Sequence, residues 1–233
     1  MSDVPDLPRT EAAIIELTNT FRQENRLRPV ARNKQLEAAA RWYAAYLART
    51  GKFAHEADGR HPHERVAAQG YKYCLVSENL ALNLNSRGFT SSGLAMEVVE
   101  GWKKSPDHRE NLEEPDATDI GVATARVPDK HPKFVSVQLF GRPETLKIEF
   151  RIRNETEHQI SYTLGEESQT LDANTTATHE YCQTAPLKLE RAGRGLVSKA
   201  LNIEVEPRDG AVFTLITGTD GRIRVDTKDG AAR

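Results

Sequence analysis

The side chains able to do chemistry in this chain are clustered in a few places. His55, His61 and His63 crowd the segment HEADGRHPH. Glu78 stands between Ser77 and Asn79, and His108 follows Ser105-Pro106-Asp107. Cys74 precedes the Ser77–Asn79 stretch, and Cys182 lies far downstream in THEYCQ beside His179. A histidine-rich loop could ligate a metal ion. Ser77 with Glu78, or Ser105 with His108, could be drawn into a serine–histidine–acid relay, and Cys74 with His108 into a thiol nucleophile pair.

Each of these readings has a plainer counterpart. His61 and His63 flank Pro62 at a loop–helix junction, where side chains are usually solvated. His108 sits in a capping context, where it could simply hydrogen-bond a helix start. Glu78 beside Asn79 could hold backbone amides, and a cysteine at a strand start is usually buried. Asn111 is expected to fix the turn after His108. The sharper motifs are missing: the sequence has no G-x-S-x-G elbow, H-E-x-x-H helix, phosphate-binding loop or dinucleotide fingerprint. The two cysteines form no C-x-x-C pair, which excludes a local zinc knuckle or thioredoxin motif. Cys182 is either free or bonded to Cys74, and His179 is expected in a loop.

These residues need elements to hold them. Ile14, Leu17 and Phe21 recur at helical spacing, with Thr10 as the expected N-cap and Glu11 near the positive end of the dipole. Leu36, Ala39, Ala40, Tyr43, Ala44 and Leu47 define a second helix, stopped at Gly51. Pro62 opens a short helix reaching about Ala68, which Gly70 ends. A strand is expected over Tyr73–Leu82, then a helix from Gly93 to Lys103 carrying Leu94, Val98 and Trp102, and a further short helix in SPDHRENL. IGVATARV and KFVSVQLFG read as strands separated by the turn-rich PDKHP. Trp42 and Trp102 are both expected in the core. Helices flanking a few strands predict an α/β/α arrangement.

After Gly141-Arg142-Pro143 the texture changes. LKIEFRIRN places Leu146, Ile148, Phe150 and Ile152 on one face, the period of a half-buried strand. QISYTL, LKLERA, LNIEVE, AVFTLITG and GRIRVD are further strand candidates, separated by turns such as Asp209-Gly210 and Asp220-Gly221. This spacing predicts a small sandwich or barrel. The glycan-type triplets at Asn154 and Asn174 both fit hairpin turns. KDGAAR is expected to be a frayed tail.

Composition narrows the function classes. A chain of 233 residues with 38% hydrophobic and 28% charged residues is globular in character and long enough for one large or two modest domains. Its net charge of −2 provides no global basic field for a phosphate backbone, so no nucleic-acid partner is expected. No apolar run is long enough to form a transmembrane segment. The opening MSDVPDLPRTEAA lacks signal-peptide features.

Three ordered segments carry a family resemblance. They are FAHEADGRHPHERVAAQGYKY, then SENLAL, then WKKSPDHRENLEEPDATDIGVATA, with VSVQLFG closing the series. Together they resemble the CAP superfamily (cysteine-rich secretory protein, antigen 5 and pathogenesis-related 1, also called SCP), in its bacterial form, over roughly residues 10–142. The resemblance implies a CAP-type α/β/α sandwich over residues 1–143; with the strand pattern that follows it, the chain is expected to be α+β, a small all-β, sandwich-like domain occupying 144–233. It places the family's cleft histidines at His55 and His108 and its first cleft glutamate at Glu78. In many members such a cleft can take a divalent ion such as zinc, so metal: His55, His108 and Glu78 is the implied ligand set. Neutral imidazole suits Zn²⁺, and a carboxylate can ligate or orient an imidazole. The sequence departs from the pattern at Ser77 and Asp107, where glycines are usual, and neither Glu97 nor Glu100 fits the second acidic position.

The leading expectation is a non-enzymatic, periplasmic or secreted binding protein, with cytoplasmic residence as the alternative. Its His/Glu cleft would hold a divalent metal or small ligand, and its β module would dock to a protein partner or cell-envelope component. One alternative is a metal-dependent hydrolase of peptide or cell-wall material with Glu78 as general base. Another is a scaffold with a vestigial site.

Overall fold

The computed structural model describes residues 4–183, 185–190 and 202–230, which form two compact units, Met1–Glu144 and Thr145–Arg233. In the first unit the chain runs α1 (Leu7–Glu24), β1 (Ala31–Arg32), α2 (Lys34–Thr50), α3 (Pro62–Ala68), β2 (Tyr73–Leu84), α4 (Ser91–Lys104), α5 (Pro106–Glu113), β3 (Asp119–Val127) and β4 (Lys133–Pro143). The sheet order is β1-β3-β4-β2, with β1 parallel to β3 and the other pairs antiparallel.

Alternation along the central strands divides the core between two faces. Ile120, Val122, Phe134 and Phe140 pack with Ile14, Phe21, Leu94, Val98, Trp102 and Leu112 of α1, α4 and α5. Ala123, Val135, Val137 and Leu139 pack with Leu36, Ala40, Tyr43, Leu47 and Val66 of α2 and α3. The unit is therefore a three-layer α/β/α sandwich. Side chains cover the long edges of the sheet where no strand follows. On β3, the Thr124 N–H donates to Glu11 Oε1 at 2.9 Å. On β2, the carbonyls of Glu78 and Leu80 accept from Asn111 Nδ2 at 3.2 Å and Trp102 Nε1 at 3.0 Å. Burial raises the Glu11 carboxyl above its ordinary range.

Helix limits follow local chemistry. Asn33 caps α2 and Gly51, at φ 69°, ends it in the left-handed region. Helix α1 begins earlier than the apolar spacing predicts. Asp6 is its cap, accepting from Arg9 N at 2.9 Å. Thr10 is buried inside the helix, its hydroxyl donating to Asp6 O at 2.9 Å. The expected cap at Thr10 is thus displaced by a better-placed carboxylate. Trp102 is core at 1% exposure, whereas Trp42 is 43% exposed, against expectation. Trp42 is one residue before Tyr43, so it projects about 100° away from the buried stripe of α2.

The second unit holds β5 (Ile148–Asn154), β6 (Ile160–Leu164), β7 (Glu167–Leu171), β8 (Thr176–Tyr181), β9 (Leu187–Glu190), β10 (Asn202–Val205), β11 (Val212–Thr217) and β12 (Ile223–Lys228). They form two four-stranded sheets, β10-β9-β6-β7 and β12-β11-β5-β8. Phe150, Ile152, Phe213 and Leu215 from one sheet meet Ile160, Tyr162, Leu164, Leu187 and Leu189 from the other. Strands β7 and β8 were not expected, because their exposed positions carry polar residues without an apolar alternation. His179 lies on β8, not in a loop. Its Nε2 is 2.9 Å from Tyr162 Oη, its ring stacks on Phe150, and burial lowers its pKa.

Asn154 ends β5 at 0% exposure, where its amide donates to the carbonyls of His158, Leu171 and Asp172. It is a buried clasp rather than an exposed turn residue, while Asn174 does sit in a turn at φ 59°. Residues 191–192 of LKLERA, 201 of LNIEVE and 231–233 of the expected tail lie outside the described residues.

Gly121 marks the closest approach between sheet and helix. A Cβ at this position would overlap the main chain of Leu36 and Glu37 at the start of α2. Gly121→Ala is expected to destabilise the protein by about 3 kcal/mol, the upper end of what overpacking costs, because backbone cannot rotate aside. Urea denaturation measures the shift, and an unchanged midpoint would refute the close-packing argument.

Candidate functional site

The site is built from α2 outward. Tyr43 belongs to the buried stripe of that helix and is 0% exposed. Its hydroxyl donates to the Ala54 carbonyl and accepts from Ala57 N at 3.1 Å. Tyr46, one turn on, donates to the Ala57 carbonyl at 3.0 Å. Burial raises the Tyr43 pKa, keeping the phenol protonated and able to donate. Two tyrosines of one helix therefore pin the loop that carries His55.

Arg65 of α3 lies beneath that loop at 2% exposure. Its guanidinium carbon is 3.5 Å from the Tyr43 ring centroid. Nη1 donates to Asp58 Oδ1 at 2.9 Å and to the Arg60 carbonyl at 2.7 Å, and Nη2 donates to Glu78 Oε2 at 2.8 Å. Glu78 uses its other oxygen, Oε1, on His55 Nδ1 at 2.9 Å. The side chains of Arg65 and Glu78 are each 1% exposed, while that of His55 is 50% exposed. A buried carboxylate is thus held between a fixed cation and an imidazole that reaches solvent. The planar arginine fork suits this task, since it serves two carboxylates and a carbonyl at once.

Consecutive strand residues point to opposite faces, so Asn79 turns away from this cluster. It is 0% exposed and fully engaged. Its Nδ2 donates to the His108 carbonyl at 3.1 Å and to Gln138 Oε1 at 3.0 Å, and its Oδ1 accepts from Asn111 Nδ2 at 2.8 Å. Gln138 continues the chain to Thr18 of α1, donating at 2.9 Å. These bonds tie the start of α5, and with it His108, to β2. The two histidines also influence each other. The hydrogen bond to Glu78 holds the His55 pKa above its ordinary value, whereas burial, then the charge on His55, hold that of His108 below.

The other candidates are not brought into this cluster. His61 pairs with Glu56 at 2.8 Å and stacks on His63 at 5.3 Å, both rings exposed on the loop–helix junction. Glu97 is exposed and Glu100 pairs with Lys103 at 2.7 Å. Neither joins the cluster, whose other carboxylate is Asp58, paired with Arg65. Glu78 receives its bonds from the side chains of His55 and Arg65, and Asn111 reaches across to β2 instead of fixing its own turn. Neither cysteine is a free thiol, so the thiol-nucleophile reading of Cys74 falls. Among the described residues, no group of three His, Cys, Asp or Glu side chains is arranged to hold a metal ion. Sequence reasoning missed Arg65, Asp58 and Tyr43. A charged residue on a short helix ordinarily faces water, and nothing in the spacing of Asp58, Arg65 and Glu78 marks them as partners.

Removing one member of a buried charge cluster strands the others. Arg65→Met is therefore expected to cost about 3–5 kcal/mol in chemical denaturation. In an NMR titration, Glu78→Gln is expected to lower the His55 pKa, because the group that favours its imidazolium is gone. The sign follows from linkage. A raised histidine pKa contributes stability below the ordinary value of about 6.5, and that contribution fades as pH rises through the folded-state value. A His55 titration unmoved in Glu78→Gln would refute this coupling.

Comparisons with known proteins identify the family of the first unit. The family model of the cysteine-rich secretory protein family (CAP) matches residues 15–140. The uncharacterized protein YkwD of Bacillus subtilis (strain 168) is 29% identical over 113 residues, which is 48% of this chain and 41% of that protein. The chain thus spans less than half the length of that relative. An outer surface protein from Borrelia burgdorferi shares the fold, with a TM-score of 0.52 and 24% identity over 62% of this chain and 100% of that one. An extracellular protein containing an SCP domain from Bacillus anthracis aligns at 26% identity and a TM-score of 0.48, over 58% of this chain and 41% of that one. The matched residues run from α1 through β4 and take in every side chain of the cluster, and on that extent the chain belongs to the cysteine-rich secretory protein (CAP) family.

Proposed function

We propose that this CAP protein is an extracytoplasmic binding protein whose cleft takes a divalent metal ion through His55 and His108. Glu78 then stands behind His55 as the residue that orients it. The observation that carries this reading is the 2.9 Å contact between His55 Nδ1 and Glu78 Oε1. A proton on Nδ1 directed at the carboxylate leaves the lone pair of Nε2 for a ligand, the arrangement that commonly supports a metal-bound imidazole. Both Glu78 oxygens are occupied, so the donor set is two imidazoles completed by water, a weaker site than a three-ligand one. A bound Zn²⁺ would supply a Lewis-acid anchor for an anionic or carbonyl group of a ligand.

The same geometry weighs against the hydrolase reading. A general base must reach the proton it removes, and the Glu78 side chain is 1% exposed between Arg65 and His55. An address outside the cytoplasm is supported by the outer-surface relative and by the state of the cysteines, neither of which is a free thiol. No helix among the described residues is long and apolar enough to cross a membrane. The β-sandwich is read as the docking unit for a partner protein or envelope component. Its one notable histidine, His179, is engaged with Tyr162 and Phe150 of its own core.

Calorimetric titration of metal-stripped protein with Zn²⁺ tests the proposal. One-to-one saturable binding is expected, abolished in His55→Ala/His108→Ala and weakened about 10–100-fold in Glu78→Gln. Absence of saturable binding, or binding that the double variant retains, would overturn it. Binding is also expected to weaken as pH falls through the histidine range, since protons compete for the same nitrogens.

A further inference from the structure

A second surface stands apart from the histidine pair, on the outer side of α2. Trp42, Tyr46 and Arg49 occur at i, i+4 and i+7 and so share one stripe. The Trp42 and Tyr46 rings are 5.7 Å apart and inclined by only 16°. Arg60 lies over Trp42 at 5.9 Å and Arg49 over Tyr46 at 5.8 Å. Trp42 is 43% exposed, and both arginines are exposed. Tryptophan, tyrosine and arginine are the residue types that dominate binding hot spots.

Charge indicates what this surface fits. Its neighbouring carboxylates are already committed: Glu37 to Arg32, Glu56 to His61, and Asp58 to Arg65. Arg49 and Arg60 have no carboxylate partner among the described residues. Both guanidiniums are exposed beside these rings, and a planar fork of N–H donors can meet a carboxylate bidentately. Arg60 stands on the loop that Tyr43, Tyr46 and Arg65 clamp, so it loses little freedom on binding. Two arginines without a carboxylate partner among the described residues favour an Asp or Glu side chain over a neutral sugar. With a net charge of −2 the chain has no general attraction for polyanions.

We infer that the Trp42–Tyr46–Arg49–Arg60 face docks an acidic segment of a partner protein. Trp42 is also its reporter, because Trp102, the other tryptophan, is 1% exposed and bonded to the Leu80 carbonyl. Titrating the full chain with a short oligo-glutamate peptide is expected to give a saturable change in tryptophan emission, absent in Trp42→Phe. Affinity, followed by calorimetry as well, is expected to fall about tenfold or more in Arg49→Gln/Arg60→Gln. The Arg49→Lys/Arg60→Lys variant is expected to restore it only in part, because a point charge lacks the planar fork. Zn²⁺ titration of both double variants is expected to be unchanged, which separates this surface from the histidine cleft. No saturable response, or equal affinity in the glutamine variant, would overturn the proposal. So would full rescue by lysine, or binding of oligogalacturonate equal to or stronger than that of oligo-glutamate.

Discussion

The geometry of the first unit's site depends on one guanidinium. Arg65 is buried between Asp58 and Glu78, with the Tyr43 ring against it. Its charge makes it tolerable to keep two carboxylates away from water, and its fork sets where their oxygens stand. From Glu78 the constraint passes to His55, and from Asp58 and the Arg60 carbonyl it passes to the loop. The aromatic stripe of α2 pins the same loop from the other side. None of these contacts is needed merely to close the core, because hydrophobic residues of similar volume would fill the space at least as stably. What the cluster visibly does is hold a half-exposed imidazole by its Nδ1.

The helices and most strands were legible because they rest on period and punctuation, which the polar β7 and β8 lack. Helical spacing with Asn33 and Gly51 at its ends, and Pro62 followed by Gly70, are local signals whose physics does not depend on the rest of the chain. His55, Glu78 and His108 were singled out for a different reason: they stand in ordered family motifs. Arg65 was not, since burial of a cation depends on partners far away in sequence. Trp42 misled because residue type outweighed angle; one position along a helix turns a side chain away from the buried stripe. Asn154 and His179 misled in the same sense. Polar residues near turns read as loop until a sandwich core places hydrogen-bonding groups around them.

The pair Glu78-Asn79 shows how two adjacent residues can organise one site from both faces of a sheet. Period-two alternation sends Glu78 toward α3 and the His55 loop, and Asn79 toward α1 and α5. One residue therefore holds the first histidine by its Nδ1, and the next holds the second by its main chain. Because β2 is an edge strand, elements from the two layers can meet beside it without crossing the sheet. Asn111 and Trp102 close the same edge, so the strand that carries the site is not open to pairing along that stretch.

This arrangement separates the protonation behaviour of two chemically identical groups. The carboxylate behind His55 favours its imidazolium, while burial and the neighbouring charge oppose that of His108. On lowering the pH, His55 gains its proton first and then makes His108 harder to protonate. Between the two transitions the pair carries one charge and keeps one neutral imidazole. Only with both rings neutral does it present two lone pairs. In the proposed reading, protons and a ligand therefore compete for the same two nitrogens.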